Sequence, residues 1–155
     1  MGARTLSIGF AVILACLVAA CAPLIAGYNL QAYQNATTLK ADVAAMADIS
    51  TDDYATHASD VSALTLHLNE AYQFAKGEPE NAIAARQWQI LLDPDGHLYG
   101  GFVAKWRHDG HLSQAEAGNV HALLDRAFDQ IICLEANKQT ATACAAPEAL
   151  PGAGS

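Results

Sequence analysis

Beyond residue 28, apolar side chains recur at spacings of three and four along nearly the whole chain, the signature of helices that each bury one stripe. Residues 28 to about 48 are Ala-rich and place Tyr33, Leu39 or Lys40, Val43 and Met46 near one face. Polar residues interrupt the pattern at 49–53, where Ser50 followed three positions later by Asp53 has N-cap character. The clearest helix follows. Tyr54, Ala58, Val61, Leu64 or Thr65, Leu68, Ala71 or Tyr72, and Ala75 form its stripe, Gly77 stops it, and Pro79 lies just beyond. A third helix is expected from Pro79 or Glu80 to Leu92, burying Ile83, Gln87 or Trp88, and Ile90 or Leu91.

Residues 94–108 admit two readings. Leu98, Phe102 and Trp106 are four apart, which is helical, although Gly96, Gly100 and Gly101 each weaken a helix by about 1 kcal/mol relative to Ala. The rival is a β-hairpin turning at His108-Asp109-Gly110, with Phe102, Ala104 and Trp106 alternating. The four-residue spacing favours the helix, in which Gly100 and Gly101 would admit a close backbone neighbour. Asp93-Pro94-Asp95-Gly96 reads either as a turn or as an N-cap followed by proline at the first helical position. Ser113 and Glu116 then form a capping box that opens a last helix, with Val120, Leu123, Leu124, Ala127, Phe128, Ile131, Ile132 and Leu134 or Glu135 on its core face and Asn137-Lys138 at its end. No internal repeat is present. The expected fold is all-α, a small up-and-down bundle of four to five helices.

The N-terminus has a different character. Residues 5–27 carry no charge and are mostly apolar, with Arg4 just before them. Three readings compete. Within a secretory signal, Val18-Ala19-Ala20-Cys21 resembles a bacterial lipobox. That resemblance implies cleavage before Cys21, acylation of its sulfur and amine, and, with Ala22 giving no acidic retention cue, the outer membrane. Alternatively the run is an uncleaved span, since about 20 apolar residues cross a bilayer and Arg4 would stay cytoplasmic. Ordinary signal cleavage near Ala20-Cys21-Ala22 is the third, with Pro23 unfavourably close to the cut. All three send the remainder across the inner membrane, into the periplasm. The expected division is residues 1–20 as lipoprotein-type signal or membrane anchor, 21–27 as tether, 28–138 as helical bundle, and 139–155 as a flexible tail partly pinned by a disulfide.

Charge narrows the partners. The chain has 8 Lys and Arg against 16 Asp and Glu, a formal net charge of −8. Without clustered cations it is a poor match for nucleic acid, and only the N-terminal anchor is expected to attach it to a membrane. Of the four cysteines, Cys16 lies in the apolar run and Cys21 in the lipobox. Cys133 and Cys144 are left as a pair, and in an oxidising compartment a disulfide is the default.

Candidate chemistry is sparse. His108-Asp109-Gly110-His111, with His97 nearby, offers imidazole and carboxylate ligands of the kind zinc takes. No second rigid pair of ligands accompanies them, and a solvated loop is the simpler reading. His57, His67 and His121 share no spacing. Asp93-Pro94-Asp95-Gly96 begins like a calcium loop, but the twelfth position, Ala104, is not the glutamate such a loop needs. No nucleophile elbow, zinc-protease helix or phosphate-cradling glycine loop occurs, so neither an enzyme nor a cofactor is expected. Trp88, Tyr99, Phe102 and Trp106 concentrate the aromatic surface; they are either core or an apolar groove for a partner. Asn35-Ala36-Thr37 matches a glycosylation acceptor, relevant only to a eukaryotic secretory route.

The stretches 75–88 (AKGEPENAIAARQW), 98–106 (LYGGFVAKW) and 127–135 (AFDQIICLE) are similar to those of small uncharacterised bacterial envelope proteins. That resemblance covers most of the chain after Cys21 and brings no activity and no catalytic residues with it. The expectation is a lipid-anchored periplasmic helical protein with a binding or structural role in the envelope and an envelope protein as partner. The alternatives are a single-pass accessory subunit of a membrane complex, or a metal-binding protein using His97, His108 and His111.

Overall fold

A computed structural model of the chain describes residues 26–138 and Cys144. Among the described residues five α-helices follow in order: α1 Leu30–Asp48, α2 Tyr54–Gly77, α3 Ala82–Leu92, α4 Tyr99–Asp109 and α5 Gln114–Ala136, with a 3-10 turn, Ile49–Thr51, after α1. The described residues contain no strand. The all-α up-and-down bundle expected from the spacing is therefore the fold.

Side chains and glycines set the helix limits. Asn29 caps α1 by accepting from the Gln31 and Ala32 N–H groups, and Asp53 caps α2 by accepting from Ala55 N–H at 2.8 Å. Ser50 does not cap; it is buried, and its hydroxyl donates back to the Ala47 carbonyl at 2.7 Å. Asn81 Nδ2 donates to the Ala75 carbonyl at 2.9 Å. Its amide is thus used to close α2 and gives α3 no side-chain cap. Consequently α3 begins at Ala82, later than expected, because Pro79 and Glu80 form the turn that reverses the chain, with Glu80 at φ 58°. Gly110 ends α4 at φ 83°, a conformation suited to glycine. The capping box of α5 is complete: Ser113 Oγ accepts from Glu116 N–H, and Glu116 Oε2 accepts from Ser113 N–H.

Interhelix contacts give the topology. Asp48 meets His121 at 2.6 Å, and Lys40 meets Asp125 at 2.8 Å and also Asp129, so α1 and α5 run antiparallel. At the other end of α1, Asn29 Nδ2 donates to Glu78, so α1 and α2 are antiparallel too. Helices α3 and α4 return along α2 as two halves of one broken helix. Tyr99 reaches Thr65 on α2, and Trp106 reaches the loop before it, where its Nε1 donates to the Asp52 carbonyl at 3.0 Å. The break is the Asp93-Pro94-Asp95-Gly96 segment, which is a turn and not a helix start: Asp93 Oδ1 accepts from Asp95 N–H and the Asp93 carbonyl from Gly96 N–H. The tight turn at this break requires Gly100 and Gly101. A Cβ on Gly100 would lie 2.4 Å from the carbonyl oxygens of both Leu92 and Asp93, and one on Gly101 only 1.8 Å from that of Gly96.

One core runs through the bundle. Leu39, Val43, Val61, Leu64, Leu68, Trp88, Leu91, Leu124, Phe128 and Ile131 fill its middle, and Tyr99, Phe102, Trp106 and Leu112 close one end. Trp88 meets Phe128 edge-on at 5.9 Å, and Phe102 stacks on Trp106 at 5.7 Å. On α3 the expected alternatives resolve to Trp88 and Leu91, and Ala84 takes the inward place expected for Ile83. Ala84, Trp88 and Leu91 point inward, while Ile83 and Ile90 are exposed. No helix among the described residues is long and apolar enough to cross a membrane.

Candidate functional site

The residues singled out by sequence separate in space. Trp88, Tyr99, Phe102 and Trp106 are all buried; they build the core and line no open groove. Tyr99 satisfies its hydroxyl against Thr65 Oγ1 at 2.8 Å, and burial pushes that hydroxyl up to about 12. His97, His108 and His111 are exposed, and among the described residues no three His, Cys, Asp or Glu side chains group as a metal site. His108 Nδ1 contacts Asp109 at 2.7 Å, His121 contacts Asp48, and His57 lies between Asp52 and Asp60 at 3.4 and 3.8 Å. These imidazoles meet carboxylates, with no hydroxyl or thiol nucleophile in the set. Cys21 lies outside the described residues.

The most buried charged pair, Lys138 and Glu135, sits at the end of the bundle where the N-terminal segment enters. Ala26 N–H donates to the Glu80 carbonyl at 3.0 Å, and Asn29 reaches Glu78. Both contacts tie the entry point to the α2–α3 turn. At the same end, Lys138 is buried just past α5, with Nζ 2.6 Å from Glu135 Oε2 and 3.5 Å from Glu78 Oε2. The Glu135–Lys138 contact is a close buried ion pair on Oε2, and Glu135 Oε1 has no hydrogen-bond partner among the described residues. Burial pushes the Glu135 carboxyl up from its usual range, with Lys138 pulling the other way. Cys133, one turn before Asn137, is disulfide-bonded to Cys144 across a Cα–Cα distance of 5.7 Å. Asn137 Nδ2 donates to the Cys133 carbonyl at 3.0 Å. Sequence reading found the disulfide but not the ion cluster. Its one local signal was the Glu135 to Lys138 spacing of three at a helix C-terminus, where a cation is favoured.

Two shallow grooves mark the sides. Between α2 and α3, adjoining cavities of about 370 and 470 Å³ share Tyr72, Arg86 and Gln89. Between α1 and α2, a cavity of about 460 Å³ is lined by polar groups including Asn35, Asp42, His67 and Glu70. Neither holds a buried nucleophile or a paired acid and base. No family model, curated protein or solved structure matches this chain.

Proposed function

We propose that this is a membrane-anchored protein of the bacterial envelope, its helical bundle held in the periplasm by the N-terminal segment and serving a binding or structural role without catalysis. The observation that carries the reading is the uncharged run of residues 5–27, which holds Val18-Ala19-Ala20-Cys21 and joins the bundle directly. Cleavage before Cys21 followed by acylation supplies a lipid anchor. The disulfide between Cys133 and Cys144 is in keeping with an oxidising compartment. The shallow polar grooves suit protein partners better than a small substrate, which would call for a deeper apolar pocket. A second reading, a single-pass accessory subunit, is favoured by the length of the same run, which suffices to span a bilayer.

Intact mass of the chain extracted from its native membrane tests this. The expected species begins at Cys21 and carries acyl chains, and Cys21→Ala blocks processing and acylation. A species retaining residues 1–20 establishes the spanning helix instead. An unacylated soluble species with a later N-terminus refutes membrane anchoring altogether.

A further inference from the structure

The antiparallel topology gathers three chain segments at one end of the bundle: the start of α1, the α2–α3 turn and the end of α5. The N-terminal segment joins here, and the Ala26–Glu80 and Asn29–Glu78 contacts fix its direction of entry. Four residues lie between Cys21 and Ala26, which makes five Cα–Cα steps. Even fully extended they reach at most about 18 Å. An acylated Cys21 therefore keeps this end close to the lipid headgroups. An uncleaved span ending near Gly27 would bring it closer still.

The same end carries unsatisfied apolar surface. Five large hydrophobic residues are exposed among the described residues: Tyr28, Leu30, Leu66, Ile83 and Ile90. Three of them belong to this end. Tyr28 precedes the first turn of α1 and is 54% exposed, Leu30 starts that turn and is 57% exposed, and Ile83 lies in the first turn of α3 and is 47% exposed. Tyr33 stands beside Tyr28 with ring centroids 6.4 Å apart. Tyrosine and aliphatic side chains next to an anchor are the residues that settle at the headgroup level of a bilayer.

We propose that this end of the bundle seats on the bilayer through Tyr28, Leu30 and Ile83, so that the α2–α3 turn faces lipid and the α4 end projects away from it. The inference rests on the membrane anchoring proposed above and adds an orientation and a contact surface. The exposed Lys76 in the last turn of α2 is offset by the exposed Glu80 of the adjoining turn, so this end has no cationic cluster for anionic headgroups and the contact is apolar and insensitive to salt.

The test places an encoded environment-sensitive fluorescent residue at position 30, 83 or 66 of the full chain reconstituted in phosphatidylcholine vesicles. Leu66 is 58% exposed in the middle of α2 and serves as the control. The expected result is a blue shift at positions 30 and 83, loss of that emission with brominated lipid, no effect of salt, and no change at 66. Vesicle flotation separates the two layers of the argument. A chain that does not float with vesicles overturns the anchoring and the seating together. A chain that floats while positions 30 and 83 behave like 66 overturns the seating alone. A blue shift without quenching by brominated lipid assigns these residues to contact between copies of the chain and also overturns the seating.

Discussion

Substituting alanine for Gly101 sets two effects of opposite sign against each other, and the structure decides which wins. Gly101 lies inside α4, where alanine is favoured over glycine by about 1 kcal/mol. Its Cβ, however, would fall 1.8 Å from the Gly96 carbonyl oxygen and 2.8 Å from the Gly96 carbonyl carbon. A carbon rests no closer than about 3.3 Å to such an oxygen, so the turn must retreat by roughly 1.5 Å. The obstructing atoms are backbone atoms of the break between α3 and α4, not the tip of a flexible side chain. Overpacking of this kind costs about 1–3 kcal/mol or more, and the absence of a yielding side chain puts Gly101→Ala at the upper end. After the propensity gain is subtracted, the net loss is about 2 kcal/mol. At about 4 °C per kcal/mol for a domain of this size, the melting temperature falls by about 8 °C. Gly118 supplies the control. It sits in α5 with nothing within 4 Å of a built Cβ, so Gly118→Ala gains up to about 1 kcal/mol and raises the melting temperature by up to about 4 °C. Thermal unfolding followed by circular dichroism at 222 nm reads both. A Gly101→Ala protein as stable as the parent would show that α3 and α4 do not meet across this close turn.

Four further outcomes are expected. Lys138→Met leaves the buried Glu135 carboxylate without its counter-charge and costs about 3–5 kcal/mol, measured by urea unfolding at neutral pH; the Lys138→Met/Glu135→Leu double variant recovers most of that loss, and failure to recover it would refute the pairing. Glu116 has its carboxyl lowered from 4.5 to about 2, first by the Ser113 side chain and then by Ser113 N–H and Lys105. Its contribution to stability is therefore full above about pH 4.5 and lost as pH falls through about 2, so the parent loses stability across that window while Glu116→Gln, which keeps the cap, shows a flatter profile. Cys133→Ala/Cys144→Ala lowers stability by about 3 kcal/mol by the chain-entropy argument for a loop of this length, and the parent under reductant should match it in denaturant unfolding. Tyr99→Phe removes one of the two hydrogen bonds of Thr65 Oγ1, which still donates to the Val61 carbonyl, and costs about 1 kcal/mol, and ultraviolet titration of the parent should show one tyrosine ionising near pH 12 while the fold persists.

Much of the fold was legible in the sequence because helix limits are local. The capping box at Ser113 and Glu116, the stop at Gly77, and the three-and-four spacing of α2 and α5 each depend on residues within one or two turns. The pair Cys133 and Cys144 was legible by elimination. The face of α3 was legible only in part, with Gln87 or Trp88 and Ile90 or Leu91 left open and Ile83 expected inside. Ile83 and Ala84 are adjacent, hence about 100° apart around the helix, and an 11-residue helix with apolar residues on both stripes has no internal reason to choose. Trp88 chose, because its ring fits edge-on against Phe128 of α5. Ser50 looked like a cap from its spacing, but its burial beneath the α1–α2 connection turns its hydroxyl back to Ala47.

For the candidate site, the sequence by itself determined the apolar N-terminal run, its lipobox-like cysteine and the lack of a catalytic motif, since these are properties of neighbouring residues. Only the tertiary structure decided that Tyr28, Leu30 and Ile83 share one end, and that Glu78, Glu135 and Lys138 meet there. Glu78 is separated from Lys138 by 60 positions, and nothing local links them. They meet because antiparallel packing of successive helices returns the chain to the end at which the anchor segment enters, and burial then makes their charges depend on one another.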